Sequence, residues 1–139
     1  MSWWMYAIAS ALAASATAIL AKIGVQGVPS NLATAIRTAV VLVISWAIVF
    51  ATREHQELGN LKARSVLFLV LSGFATGASW LAYFKALQLA PASRVAPIDI
   101  VSLAFTIVLA ALVLHESITW QVGVGVALMV IGALLTLAG

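Results

Sequence analysis

The chain reads as five long apolar runs separated by short polar breaks. Near-continuous hydrophobicity covers approximately Trp3–Ala21, Leu32–Ala51, Ser65–Phe84, Ala92–Leu114 and Thr119–Ala138. Each run approaches the ~20 residues that a helix needs to cross the hydrocarbon core of a bilayer. The breaks carry turn chemistry. Gly24, Gly27 and Pro29 close the first, and Ser30 or Asn31 is placed to cap the second helix. The second break, Arg53 through Arg64, is the longest and the only charge-rich stretch, with Glu54, His55 and Glu57 inside it. Pro91 separates the third and fourth runs and suits a first helical turn. His115 and Glu116 end the fourth run, and Ser117 or Thr119 can cap the fifth. The pattern predicts an all-α membrane protein: five transmembrane helices forming one domain over residues 1–139, with no room among them for an extramembrane domain.

Composition agrees with that pattern. The chain is 64% hydrophobic and 8% charged, against about 25% charged residues in an ordinary soluble domain. So few charges cannot cover a water-facing surface of this size, so lipid must solvate most of it. A secretory leader is the competing reading of the first run, since Ala11 to Ala16 offers small residues for cleavage. No Lys or Arg precedes that run, however, and no soluble domain follows. Trp3, Trp4 and Tyr6 suit a helix that starts at the membrane interface, and Trp46 and Trp120 fall on the same side, as an aromatic belt would place them. With no cysteine there is neither a disulfide framework nor a thiolate metal site.

The net charge of +3 comes from basic residues scattered singly or in pairs, which excludes a nucleic-acid stripe. Their placement bears on topology instead. Arg53, Lys62 and Arg64 lie on the side of the N-terminus, and Lys22, Lys85 and Arg94 on the other, three against three once Arg37 inside a helix is set aside. The usual positive-inside bias is absent, so insertion in both orientations is allowed. The alternative is that contacts at a site hold Lys22 and Lys85, with the N-terminus inside.

Two charges sit where lipid should be. Arg37 lies six residues beyond Asn31 in the second run, and Asp99 seven beyond Ala92 in the fourth. Both runs start on the same side, so at 1.5 Å per residue the two groups lie about 9–10 Å below that surface. A charge at the bilayer centre costs about 2.5–3.5 kcal/mol on insertion scales, which argues for a partner or a polar cavity shared by the two. Snorkelling is the alternative for Arg37, and a locally paired or protonated carboxyl for Asp99. Pro97 adds to the fourth run a missing backbone donor, freeing the Ser93 carbonyl; transporters set such groups against a substrate cavity, although a plain kink is an equal reading. Trp80 and Tyr83 can line the same cavity or sit as interfacial aromatics, and Phe84 fits the interface better. Glu116, at a helix end, reads as a surface carboxylate.

Gly73 and Gly77 form a small-xxx-small pair in the third run, and Gly125, Gly132 and Gly139 recur every seven residues in the fifth. Such stripes let helices approach closely in lipid, either inside one subunit or along a dimer seam. His55 and His115 lack metal-ligand spacing, and neither a phosphate loop nor a serine elbow is present. The residues therefore predict no enzyme, no metal and no cofactor.

The second half carries a family pattern. Tyr83-Phe84-Lys85-Ala86-Leu87, Ala90-Pro91-Ala92-Ser93-Arg94-Val95-Ala96-Pro97-Ile98, Leu112-Val113-Leu114-His115-Glu116-Ser117-Ile118-Thr119 and the last helix ending Ile131-Gly132-Ala133-Leu134-Leu135 together resemble the EamA-type domain of the drug/metabolite transporter superfamily. Asn31 to Arg37 is similar to that domain's second helix. Familiar members carry two five-helix repeats, whereas this chain has one EamA-like repeat and so resembles the single-repeat bacterial and archaeal branch. Two departures stand out. The resemblance implies a Lys after the aspartate, where Ile100 stands, which turns attention to Arg37 as the partner of Asp99. It also implies a Gly where His115 stands.

The resemblance implies a secondary transporter in a bacterial or archaeal cytoplasmic membrane, exporting small polar metabolites. Two fused five-helix units would be inverted relative to each other and could rock about a midplane site. A single unit recovers this as an antiparallel homodimer, with a small-molecule substrate, membrane lipid and a second copy as its partners. Arg37, Asp99, Tyr83, Trp80 and Pro97 are then the candidate substrate- or ion-binding residues, and Gly73, Gly77, Gly125 and Gly132 the packing or dimer residues. A small multidrug-type cation exporter is an alternative, but it wants an acidic residue in the first helix, and Trp3–Ala21 has none. A non-transporting membrane subunit is the other.

Overall fold

The computed structural model describes residues 2–138, so Gly139 of the fifth-run stripe lies outside the described residues. Among them there are six α-helices, one 3₁₀ helix and no strand. In chain order these are α1 (Trp3–Gly24), α2 (Ser30–Ala51), the 3₁₀ helix (Glu54–Asn60), α3 (Ala63–Leu89), α4 (Ala92–Asp99), α5 (Val101–Val113) and α6 (Trp120–Ala138). Five segments are long and apolar enough to cross a bilayer: α1, α2, α3, the α4–α5 pair over Ala92–Val113, and Trp120–Leu137 of α6. The fold is that of an all-α membrane protein with five transmembrane spans.

Several boundaries differ from those the sequence predicts. The second helix begins at Ser30, and the residue before it, Pro29, takes the cap position without a side-chain bond. The Pro29 carbonyl accepts the first helical bond from the Ala33 N–H at 3.0 Å. Proline's fixed φ and missing N–H suit the step into the helix, and no Ser or Asn side chain caps it. The third helix runs on to Leu89, five residues past Phe84, because those residues are packed: Leu87 is fully buried. The fourth span is interrupted at Ile100.

The chain groups into two compact units, Leu20–Leu89 and Met1–Ile19 with Ala90–Gly139. In the first, α2 packs against α3. Its buried residues gather at one end: Val25, Ser30, Thr34, Phe84 and Leu87. At the other end of α2 an aromatic ladder forms, with Trp46 and Phe50 rings 5.6 Å apart and the His55 ring 5.2 Å from Phe50. Arg53, at φ 61°, turns the chain into the 3₁₀ helix, and that left-handed step lets His55 fold back on α2. In the second unit, α4 and α5 pack on α6, and Val95 and Ala133 are its buried apolar residues.

Outside those small cores the spans point outward. Leu12, Val43, Leu69, Phe105 and Leu135 are each 67–68% exposed. At about 25 cal/mol per Å² of apolar surface, water is an untenable solvent for faces like these, and lipid or another apolar chain must cover them. Trp3, Trp4, Trp46 and Trp120 are all exposed, as a belt of interfacial aromatics requires.

Candidate functional site

The α2–α3 pair builds its chemistry around Arg37. Thr34, about one turn before it, and Thr38, the next residue, donate their hydroxyls to the backbone carbonyls of Ser30 (2.9 Å) and Thr34 (2.8 Å). Each thus satisfies itself on its own helix, as a hydroxyl in an apolar medium must. Arg37, half-buried, reaches across to α3 instead. Its guanidinium carbon lies 4.2 Å from the Trp80 ring centroid and 5.5 Å from that of Phe84. Trp80 and Phe84 are four residues apart on one helix, so they share a face, and both rings fall within the ~6 Å reach of a cation–π contact.

This arrangement corrects one expectation. Phe84 is 3% exposed, buried beneath α2 rather than set at the interface. A phenyl ring has no polar tip to keep in the headgroup layer, so packing inward against a cation serves it better. Tyr83, next on the helix, is half-buried. Within this unit the only carboxylates are Glu54 and Glu57, both in the 3₁₀ helix past the far end of α2. The helix alone separates Arg37 from them by about 20 Å. Among the unit's own residues, then, Arg37 meets aromatic faces and no counter-charge.

Sequence reasoning missed a clasp at the same end. Gln88 donates its side-chain amide to the Val28 carbonyl at 2.6 Å, and Lys22 donates its ammonium to the Leu87 carbonyl. The two bonds tie the α1–α2 turn to the last turn of α3 around a hollow of about 280 Å³ lined by Lys22, Val25, Gln26, Gly27, Leu87 and Gln88. Gly27 sits at φ 76°, the left-handed region that glycine enters without strain. Lys22 is held by a contact, whereas Lys85 is exposed; Gln88 gave no signal beyond being a polar residue after a long apolar run.

In the other unit the chemistry gathers where the fourth span breaks. Pro97, half-buried inside α4, removes one backbone donor. Three residues later the ladder tightens: Ile100 N–H donates to the Pro97 carbonyl at 3.1 Å, and Leu103 N–H to the Ile100 carbonyl at 2.9 Å. These three-residue steps interrupt the α-helix. Ser102 then donates its hydroxyl to the Asp99 carbonyl at 2.6 Å, and Thr106 to the Ser102 carbonyl at 2.9 Å. The single helix expected over Ala92–Leu114 is therefore two. Proline costs it a bond, and the Ser102 hydroxyl competes with the helix for a backbone carbonyl. The Asp99 residue itself is exposed.

The packing glycines look onto open space. A Cβ built at Gly73, Gly77, Gly125 or Gly132 would meet nothing within 4 Å. None of the four thus marks a close helix approach within its own compact unit. The loop before α6 holds His115 at φ 56°. A left-handed residue is where a glycine is least strained, which gives a physical reason for the glycine that the resemblance implies there; histidine is among the side chains that tolerate it best.

A model of the EamA-like transporter family matches residues 1–138. A Sinorhizobium sp. protein named as an uncharacterized transporter in the cobO 3' region is 47% identical over 134 residues, covering 96% of this chain and 95% of the relative. No solved structure matches the chain.

Proposed function

Because this chain belongs to the EamA-like transporter family and is a membrane transporter, we propose that it is a secondary transporter exporting small polar metabolites by alternating access, working as a dimer of oppositely inserted copies in a bacterial or archaeal cytoplasmic membrane. The observation that carries this reading is Asp99, an exposed carboxylate inside the fourth span at the tightened turn through Ile100. An ionisable side chain at membrane depth almost always faces the bundle interior or a water-filled cavity and marks a substrate or ion path. Asp99 is the ion- or substrate-binding carboxylate in this scheme, and Pro97 weakens the helix beside it.

Arg37, poised on Trp80, is the second binding group, with Tyr83 lining the path. Support for the dimer comes from three sides. Five helices make an odd number, so an inverted repeat needs a second copy in the opposite sense. Basic residues are balanced three against three across the membrane. The glycines of α3 and α6 face open space, where a second helix could approach.

The test is flux through proteoliposomes holding the purified chain alone. Gradient-driven counterflow of small polar metabolites is expected from the unaltered protein. Asp99→Asn should abolish it while the chain stays folded by circular dichroism and monodisperse in detergent. Undiminished flux in that variant would remove Asp99 from the mechanism, and a silent wild-type chain that purifies with a stoichiometric partner would make it a subunit.

A further inference from the structure

We propose that the transported molecule carries a carboxylate, and that the N–H groups of the Arg37 guanidinium receive it while the group rests over Trp80. This rests on the transporter reading and adds the chemical class of its substrate.

The guanidinium carbon lies 4.2 Å from the Trp80 ring and 5.5 Å from that of Phe84, so the group rests against aromatic faces. Ring faces satisfy a cation's charge in part, but they accept none of its N–H bonds. Five donors lie in the guanidinium plane, in a fork that matches the two oxygens of a carboxylate. Contact with the rings also restrains the group before the ligand arrives, so less rotamer freedom is lost on binding.

Charge points the same way. The end of this unit that holds Arg37 also holds Lys22 and Lys85 and no acidic residue, while Glu54 and Glu57 lie at the opposite end. Lys22 is committed to the Leu87 carbonyl and Lys85 is exposed, so the two supply field more than contact. Taken with this unit's residues alone, a group entering there meets net positive potential, which favours anions. Among anions, a singly charged carboxylate suits one guanidinium in an aromatic surround. A phosphate dianion would arrive with a second charge and further lone pairs that Trp80 and Phe84 cannot satisfy.

The experiment uses the full chain in lipid nanodiscs, titrated calorimetrically with sodium benzoate, its neutral isostere benzamide, and inorganic phosphate. Benzoate is expected to bind about tenfold tighter than benzamide or more, since a site built for a charged acceptor rejects an analogue without it. Arg37→Gln should bring the two within threefold, and Arg37→Lys should keep part of the preference as a point charge. Trp80→Phe, a milder change that guards against misfolding of the Arg37 variants, should weaken benzoate binding while leaving its preference over benzamide. Equal affinity for the acid and the amide, no benzoate binding, or tighter binding of phosphate than of benzoate in the unaltered chain would each overturn the proposal. Metabolite flux that needs Asp99, together with such a result, would leave the transporter standing and remove only the carboxylate. A benzoate preference in a chain that moves no solute would do the reverse.

Discussion

Replacing Trp80 with leucine takes the aromatic face from beneath Arg37 and leaves an apolar side chain in its place. A cation–π contact is worth about 0.5–1 kcal/mol when exposed and about 2 kcal/mol when desolvated. Arg37 is half-buried and its guanidinium carbon stands 4.2 Å from the ring, so the contact falls between those limits. Phe84 remains at 5.5 Å and recovers part of the loss. The interaction between the two side chains should therefore come to about 1 kcal/mol, a factor of about five in the unfolding equilibrium. The single variant will lose more than this, because leucine also buries less apolar surface. A double-mutant cycle with Arg37→Met cancels that extra loss. The assay is reversible unfolding in mixed micelles, following the far-ultraviolet signal of the unaltered chain, Trp80→Leu, Arg37→Met and the pair. Additivity within about 0.3 kcal/mol would mean that the two groups do not sense each other, and the cation–π contact would be wrong.

Three other outcomes follow from the geometry. Gln88→Met leaves the Val28 carbonyl without the side-chain donor that now meets it at 2.6 Å, and should destabilise the chain by about 1–2 kcal/mol in the same unfolding assay. His115→Gly relieves the left-handed backbone at φ 56° and should stabilise by about 1 kcal/mol, seen as a higher midpoint with flux unchanged. Pro97→Ala restores a donor for the Ser93 carbonyl; it should raise stability by about 1 kcal/mol and slow counterflow, because the same change stiffens the fourth span.

Much of this structure could be read from the chain, and the exceptions share a cause. The five spans were legible because lipid imposes the simplest of all patterns, an unbroken apolar run. Arg37 and Asp99 stood out for the opposite reason, as charges where that pattern forbids them. What could not be read depended on residues far apart in sequence. Helix α3 continues to Leu89 because Leu87 and Gln88 meet a turn some 60 residues earlier, and nothing local announces that contact. Phe84 looked interfacial by its place near a helix end, whereas the antiparallel register of α2 and α3 puts it beneath Arg37. The break in the fourth span was half visible. Pro97 signalled a weak helix, but the interruption falls at Ile100, where tightened bonds and the Ser102 hydroxyl settle the matter. The left-handed turn at His115 was hidden by a side chain that usually belongs to ordinary loops.

The account depends on water reaching the interrupted span inside the bilayer. Since the chain has no cysteine, single thiols can be placed without further engineering. Ser102→Cys, one turn from Asp99, should react with a membrane-impermeant methanethiosulfonate reagent in intact vesicles, whereas Phe105→Cys, also near the middle of the span and 67% exposed to its surroundings, should not. If the thiol at position 102 stays as unreactive as the one at position 105, that stretch of α5 faces lipid, and no aqueous path passes Asp99.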